Sequence, residues 1–95
     1  MKNFIQLHSI DEIDQFIQEH KLAFLYMTQP NCSVCHGLRP QIEAILSKYP
    51  KIYSATINAS EVPQVASRFQ VFTAPVLLLF VDGKEFVREA RIVHT

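Results

Sequence analysis

The sequence predicts an α/β fold with a mixed central sheet flanked by helices. Short apolar, strand-like runs alternate with segments whose apolar residues recur at helical spacing, which is typical of parallel strands joined by right-handed crossovers. The last two strand-like runs meet at Asp82-Gly83, a strong signal for a tight turn between antiparallel strands. At 95 residues, the chain is expected to form a single domain, residues 1–95.

The elements follow one another in the order β-α-β-α-β-α-β-β. Strands are predicted at 4–7, 22–27, 52–57, 76–81 and 86–93, and helices at 10–20, from about 32 to 50, and from 60 to 69.

Each helix boundary has a local signal in the sequence. Ser9 and Glu12 have the spacing of a capping box, with Ser9 as the N-cap and Glu12 reaching back. The second helix should begin near Cys32 or Ser33, and Pro40 inside it removes one backbone hydrogen bond and should kink it. The continuously apolar runs 22–27 and 76–81 indicate strands buried on both faces.

Composition limits the classes of partner and location. Nine basic residues balance nine acidic ones and no basic cluster is present, so neither nucleic acid nor an anionic membrane is an expected partner. The longest apolar run, 76–81, is far too short to span a bilayer. The N-terminal residues lack the longer apolar core of a signal peptide, so we expect a cytoplasmic location.

The chain's two cysteines, Cys32 and Cys35, are the candidate reactive residues. They lie between a buried-type strand and a predicted helix start. A thiol in the first turn of a helix faces unpaired backbone N–H groups and the positive end of the helix dipole, which favours the nucleophilic thiolate. In a reducing compartment such a pair indicates catalysis or metal binding rather than a permanent disulfide.

The chain resembles the thioredoxin family over nearly its whole length. The order strand, loop, Cys-x-x-Cys, helix matches that family, and Pro40, eight residues after Cys32, matches its helix-kinking proline. Ala74-Pro75 stands before a strand where the family places a cis-proline, and 77–84 resembles the family's hairpin. The resemblance implies the thioredoxin fold.

The resemblance also implies the activity, a thiol-disulfide oxidoreductase that reduces protein disulfides. Cys32 would attack the substrate disulfide and Cys35 would resolve the mixed disulfide, so the redox-active pair needs no cofactor. Ala74 and Pro75 would present backbone to an extended substrate segment. The implied partners are disulfide-containing proteins and an electron donor of the thioredoxin-reductase type.

Three positions depart from the family pattern away from the cysteine motif. Tyr26 stands six residues before Cys32, where family members carry a buried acid. Since a phenol is a poor base at neutral pH, mixed disulfides should be released more slowly than in an ordinary thioredoxin. Thr56 replaces a lysine found in many members, and Arg91 replaces a glycine that lets the substrate chain approach.

Ser33 and His36 are candidate modulators within the motif. Ser33 can donate a hydrogen bond to a thiolate and so favour the reduced form, or it can be an ordinary residue at a helix start. His36 can act as a base or a local positive charge, although a solvated surface histidine is the simpler interpretation.

Other functions remain as alternatives. The motif from Cys32 to His36 also matches the c-type haem attachment motif. The many predicted strands argue against a haem protein. Zinc needs four ligands, more than this motif offers, so no metal is expected unless a dimer shares two pairs. A glutathione-using, glutaredoxin-like activity is a further possibility. Because the buried acid is absent, a non-turnover binding module or redox sensor that uses the same groove is the main alternative.

The resemblance makes one further prediction, about the end of the chain. Thioredoxins continue after the hairpin into another helix that packs on the sheet, whereas this sequence stops at Thr95. Without that helix apolar sheet surface would be exposed, and we expect the chain to form a homodimer.

Overall fold

A computed structural model describes residues 4–29, 33–71 and 75–90, and among these every side chain except those of residues 33–36 and 90. The elements in this part of the chain follow the predicted order. They are β1 (Ile5–Leu7), α1 (Ile10–Glu19), β2 (Leu22–Thr28), α2 (Ser33–Leu46), β3 (Tyr53–Asn58), α3 (Val65–Arg68), β4 (Val76–Val81) and β5 (Lys84–Ala90).

The strands form one mixed sheet with the order β1-β3-β2-β4-β5. β3 pairs in parallel with β1 and β2, whereas β4 pairs antiparallel with β2 and β5. β2 therefore lies at the centre, between a parallel and an antiparallel neighbour, which confirms the predicted mixed sheet.

Helices cover both faces of the sheet because alternate side chains of β2 point to opposite sides. Ala23, Leu25 and Met27 are fully buried in one cluster with apolar residues of α1 and α3. On the other face, Tyr26 packs with Ile42 of α2 in a second cluster. The candidate site belongs to this second face.

The start of α1 uses a variant of the predicted capping box. The Ser9 hydroxyl accepts a hydrogen bond of 3.1 Å from the Glu12 N–H. The Glu12 carboxylate accepts one of 2.6 Å from the His8 N–H, one residue earlier than the usual capping box requires. The predicted N-cap is thus confirmed, with a different backbone partner for Glu12.

Two helices are shorter than the sequence predicts. α3 begins at Val65, and the preceding residues form turns. The ring of Pro63 disfavours helical backbone at Val62, which delays the helix start. α2 contains Pro40 as predicted but ends at Leu46, ahead of Pro50.

The turn between β4 and β5 has the geometry that its sequence predicts. Asp82 and Gly83 have φ angles of 52° and 80°. Positive φ at both central residues is typical of the type I′ turn, whose twist matches that of the flanking strands. The part of the predicted last strand beyond Ala90 lies outside the described residues.

Candidate active site

The start of α2 lies within the cysteine motif, as the sequence predicts. β2 ends at Thr28 and α2 begins at Ser33, so Cys35 belongs to the first turn of the helix. The first backbone N–H groups of a helix have no partner within it, and they favour negative charge. Cys32 lies outside the described residues, as do the side chains of Ser33, Cys35 and His36. The helix start near Ser33 is confirmed, and the roles of these four residues remain predictions.

Pro75 lies at the same edge of the sheet as the start of α2. Its side chain is fully buried, directly before β4. The next residue, Val76, pairs with Met27 near the end of β2. The fold therefore brings Pro75 beside the strand end that leads to the cysteine motif. Ala74 and Arg91 lie outside the described residues.

Tyr26 is almost fully buried, with 1% of its surface exposed. It lies two residues before the end of β2 and packs against the Phe4 ring, with 5.9 Å between the ring centroids. Burial raises the pKa of the Tyr26 phenol above its ordinary value of 10.0, and the Arg39 guanidinium partly opposes this rise. The phenol is therefore neutral at physiological pH.

A row of paired residues crosses the sheet at Tyr26. Thr56 of β3 pairs with Tyr26 on one side and with Gln6 of β1 on the other, and Leu77 of β4 is Tyr26's antiparallel partner. Thr56 is itself buried, with 6% of its surface exposed. The two departures from the family pattern, Tyr26 and Thr56, are thus direct cross-strand neighbours, and two uncharged residues stand where the resemblance predicts an acid and a lysine.

A cavity of about 200 Å³ opens beside Tyr26, between the ends of the parallel strands and α2. Every residue that lines it carries a polar group: Gln6, Tyr26, Thr28, Gln29, Arg39, Thr56 and Asn58. Among these described lining residues there is no carboxylate. The cavity can hold water next to the buried phenol, and none of its described lining residues is an Asp, Glu or His that could act as a general base.

Arg39 is a site residue that the sequence analysis missed. Its guanidinium lies over the Phe4 ring, 4.9 Å from the centroid, and its Nε is 3.4 Å from a Glu43 carboxylate oxygen. Arg39 supplies the only cation among the described residues that line the cavity. The available signal was its position one turn after Cys35 on the helix face that leads to Glu43.

The fold and the position of the helix start define the thioredoxin class of structure. The structure is similar to that of mitochondrial thioredoxin 3 from Saccharomyces cerevisiae (oxidized form), with a TM-score of 0.84 and 19% identity over 90% of this chain and 81% of that one. Fasciola hepatica thioredoxin gives a TM-score of 0.83 and 21% identity over 92% and 86% of the two chains. At these identities, the likeness establishes the fold alone, and it confirms the predicted thioredoxin fold.

Sequence comparison establishes the family. The family model described as Thioredoxin matches residues 4–92. The chain is 52% identical over 94 residues to Thioredoxin-like protein YdfQ of Bacillus subtilis (strain 168), covering 99% of this chain and 84% of that protein. It is 30% identical over 83 residues to Thioredoxin-1 of S. cerevisiae, covering 87% and 81%. The chain belongs to the thioredoxin family, which supports oxidoreductase chemistry in general.

The described part of the chain also bears on membrane and metal binding. None of its helices is long and apolar enough to cross a membrane. None of its clusters of His, Cys, Asp and Glu side chains has three members placed to hold a metal ion. The side chains of the cysteine motif are not among those that the structure describes, so this statement about metal binding does not extend to them.

Proposed function

We propose that this protein is a thiol-disulfide oxidoreductase that reduces disulfides in other proteins through the pair Cys32 and Cys35. The observation that carries the proposal is the start of α2 at Ser33, directly after the first cysteine, at the carboxyl end of the central strand. Backbone N–H groups at a helix start stabilise a thiolate, and the thiolate is the form that attacks disulfides.

The reaction proceeds by two exchanges. The Cys32 thiolate attacks one sulfur of the substrate disulfide, forms a mixed disulfide and releases the other sulfur as a thiolate, which takes up a proton. The Cys35 thiolate then attacks Cys32 and releases the second substrate sulfur as a thiol. Two electrons pass from the protein's dithiol to the substrate, and the protein is left with a Cys32–Cys35 disulfide.

The segment before β4 is proposed to bind the substrate. Pro75 is buried beside the end of β2, so the backbone at Ala74 would face the cysteine motif and pair with an extended peptide. Arg91 would border this groove and favour acidic partners. Ser33 and His36 are proposed modulators of the dithiol through hydrogen bonding and charge.

Tyr26 is proposed to slow the second exchange. Its neutral phenol occupies the position of the family's buried acid, and the cavity beside it has no carboxylate among its described lining residues. None of the described side chains that line the cavity is a base for the Cys35 thiol, and we propose that water there takes the proton. We therefore expect mixed disulfides to persist longer than in members that keep the acid.

The remaining features of the proposal concern the cofactor, the electron donor, the location and the oligomeric state. The redox-active pair serves without a cofactor, and an electron donor of the thioredoxin-reductase type would regenerate the dithiol. We propose that the chain is a single domain, acts in the cytoplasm on disulfide-containing proteins, and forms a homodimer. Light scattering at high concentration tests the homodimer, and a monomer there contradicts it.

Insulin reduction with dithiothreitol as electron donor tests the activity. Turnover that is lost in Cys32→Ser supports the proposal, and trapping of a covalent insulin adduct by Cys35→Ser supports the order of the two exchanges. Absence of turnover in the unmodified protein, with Cys32 alkylated no faster than free cysteine, contradicts it. The reduction potential of the pair then gives the direction: a strongly negative value favours a reductase.

A non-turnover binding module or redox sensor is the second candidate. The buried, neutral Tyr26 in the position of the family's acid favours it. In that case Cys32 reacts rapidly with iodoacetamide and forms mixed disulfides, yet insulin is not turned over. Insulin turnover that is lost in Cys32→Ser excludes this candidate, because a binding module or sensor does not complete the second exchange.

A further inference from the structure

The cavity beside Tyr26 lies at the carboxyl ends of three parallel strands. β1, β2 and β3 run in the same direction, and each contributes a lining residue at or next to its last position: Gln6, Thr28 and Asn58. α2 contributes Arg39 from one face of the sheet. In open α/β sheets, ligands bind in the crevice outside the carboxyl ends of the strands. The position of this cavity in the fold therefore suits a ligand.

Arg39 gives the cavity a positive charge that its neighbours only partly neutralise. Its Nε is 3.4 Å from a Glu43 carboxylate oxygen, near the upper limit for a hydrogen bond, and its side chain is 45% exposed. Neither of its Nη groups has a hydrogen-bond partner among the described residues. The charge nevertheless acts within the cavity, because it opposes the rise in the pKa of the Tyr26 phenol that burial causes. The planar fork of Arg39 is therefore available to a ligand.

Thr56 is a buried polar side chain that lines the same cavity. The residue is only 6% exposed, yet its hydroxyl makes no hydrogen bond to any residue that the structure describes. Buried polar side chains nearly always have a hydrogen-bond partner, from the protein or from a bound molecule. This hydroxyl is thus a second observation, independent of Arg39, that indicates a polar occupant of the cavity.

The remaining polar groups favour an occupant that accepts hydrogen bonds. The Asn58 Oδ1 accepts a hydrogen bond of 2.9 Å from the Ser60 N–H, so the part of this amide that can serve a ligand is its NH₂ group. The Thr28 hydroxyl donates to the Ile57 carbonyl over 3.3 Å and is already engaged. With one guanidinium, amide donors and no carboxylate among the described lining residues, the cavity has the chemistry of an anion site.

We propose that this cavity binds a small carboxylate, held by the guanidinium of Arg39 and the hydroxyl of Thr56. A monocarboxylate matches the single positive charge, and its two oxygens match the planar fork of an arginine. The volume of about 200 Å³ is well above the roughly 30 Å³ that one water occupies in the liquid. The site is independent of the proposed redox function. Its occupant would place a negative charge beside Tyr26, where the resemblance predicts a buried acid.

The chain offers a matched control in Arg68, the last residue of α3. Arg68 is 50% exposed and lies 5.5 Å from the centroid of the Phe69 ring, so its surroundings are similar to those of Arg39. Unlike Arg39, it forms an ion pair of 2.7 Å with a carboxylate, that of Asp14, which lines a surface cavity together with it. Arg68→Met therefore removes an arginine whose charge is already paired and leaves the proposed site intact.

The experiment is an NMR titration of the protein with sodium acetate, which replaces sodium chloride at constant ionic strength and pH 7. The amides of Gln6, Thr28 and Thr56 should show saturable shifts with a Kd in the millimolar range. Arg39→Met should weaken acetate binding about tenfold or more, because charge-assisted hydrogen bonds are lost. The near-isosteric Thr56→Val should weaken it about threefold, for the loss of a neutral hydrogen bond. Arg68→Met should leave the affinity unchanged.

Three further ligands test the chemical class. Acetamide has the shape of acetate without its charge and should give no saturable shift, and sulfate, a dianion, should bind more weakly than acetate. N-acetylglycine distinguishes the source of the carboxylate: weaker binding than acetate indicates a free small carboxylate, and tighter binding indicates the carboxylate of a peptide terminus. Either order supports the carboxylate site.

Several outcomes overturn the inference. Shifts that do not saturate with acetate contradict a site, and equal binding of acetamide contradicts the role of charge. Sulfate that binds more tightly than acetate contradicts the choice of a carboxylate. Unchanged acetate affinity in Arg39→Met or in Thr56→Val, or an equal loss in Arg68→Met, contradicts the assigned residues. The amide spectrum of each variant shows directly whether it is folded, and the acetamide and sulfate titrations use the unmodified protein.

Discussion

Tyr26 stands where the resemblance to thioredoxins predicts a buried acid. It occupies the centre of the sheet face that α2 covers, it is 1% exposed, and burial raises the pKa of its phenol. Its cross-strand neighbour Thr56 is also uncharged, so this part of the core contains no ion pair between adjacent strands. The nearby cation comes from Arg39 on the helix. The described side chains that line the cavity beside Tyr26 therefore include no carboxylate that could replace the family's acid.

Tyr26→Asp should accelerate the release of mixed disulfides. A carboxylate at this position supplies the base that the cavity lacks, and positioned bases typically contribute about a hundredfold or more to proton transfer. We expect at least about a tenfold faster decay of the insulin adduct at pH 7, followed by mass spectrometry after rapid quenching. Tyr26→Phe is the control and should leave the decay unchanged. A tenfold slower decay in Tyr26→Phe would show that the phenol itself takes part.

Tyr26 also predicts how stability changes in alkali. The pKa of the phenol is raised in the folded protein, so the unfolded chain loses this proton first as the pH rises. The stabilisation is complete below the ordinary pKa of 10.0 and is lost as the pH rises through the folded-state value. Relative to Tyr26→Phe, the free energy of unfolding of the wild type should fall above about pH 10.

Urea denaturation at several pH values measures this difference. Tyr49→Phe is the matched control, because Tyr49 is 54% exposed, and this variant should lose stability with pH as the wild type does. A pH-independent difference between wild type and Tyr26→Phe contradicts the prediction.

Turns and caps, rather than long regular segments, determine where the helices and strands of this protein end. The Ser9 hydroxyl caps the start of α1. At the end of α3, Arg88 donates hydrogen bonds to the carbonyls of Phe69 and Gln70. Two residues with positive φ reverse the chain between β4 and β5. The cap of α1 and the turn between β4 and β5 each use residues that lie close together in the sequence. The end of α3 instead depends on the Arg88 side chain, 18 or 19 residues further along the chain.

The two glycines should respond to alanine in opposite directions. Gly83 has a φ of 80°, so Gly83→Ala forces a Cβ into the left-handed region and should cost about 1–2 kcal/mol. Gly37 lies inside α2 with nothing within 4 Å of an added Cβ, so Gly37→Ala should stabilise the protein by about 0.5–1 kcal/mol. Urea denaturation measures both changes. Two changes of the same sign would contradict the conformations assigned here.

The whole molecule is built around β2, which contributes to the cores on both faces of the sheet. Leu25 belongs to the cluster under α1 and α3, while its neighbour Tyr26 belongs to the cluster under α2. Because adjacent residues of one strand support both layers, neither layer can lose its packing without disturbing the other. We infer that the described part of the chain unfolds as one cooperative unit.

Truncation of a core residue on either face should therefore shift the same transition. Leu25→Ala and Ile42→Ala, at side chains that are 0% and 6% exposed, should each cost about 3 kcal/mol. Leu79→Ala, at a half-buried position, should cost about 1 kcal/mol. Circular dichroism and tyrosine fluorescence should report coincident urea transitions in all three variants. Separate transitions for the two probes would show that the faces unfold independently.

The sequence by itself determined the order of the elements and the helix start that follows Cys32. Capping residues, β-branched and apolar runs and the Asp82-Gly83 turn act within a few residues, so local rules predicted the element order and the helix start after Cys32. The same local rules placed α3 too early, because Pro63 acts against a helix start that its neighbours favour. The position of Tyr26, six residues before Cys32, was sufficient to identify it as a departure from the family pattern.

Only the tertiary structure decided which distant residues meet. The strand order β1-β3-β2-β4-β5 places Thr56 beside Tyr26, brings Arg39 to the cavity between them and α2, and carries Arg88 to the carbonyls at the end of α3. No sequence pattern encodes these contacts, since each depends on how the sheet packs against its helices rather than on spacing along the chain. Local chemistry thus predicted the candidate pair and the helix start beside it, and long-range packing determined the polar residues that surround Tyr26.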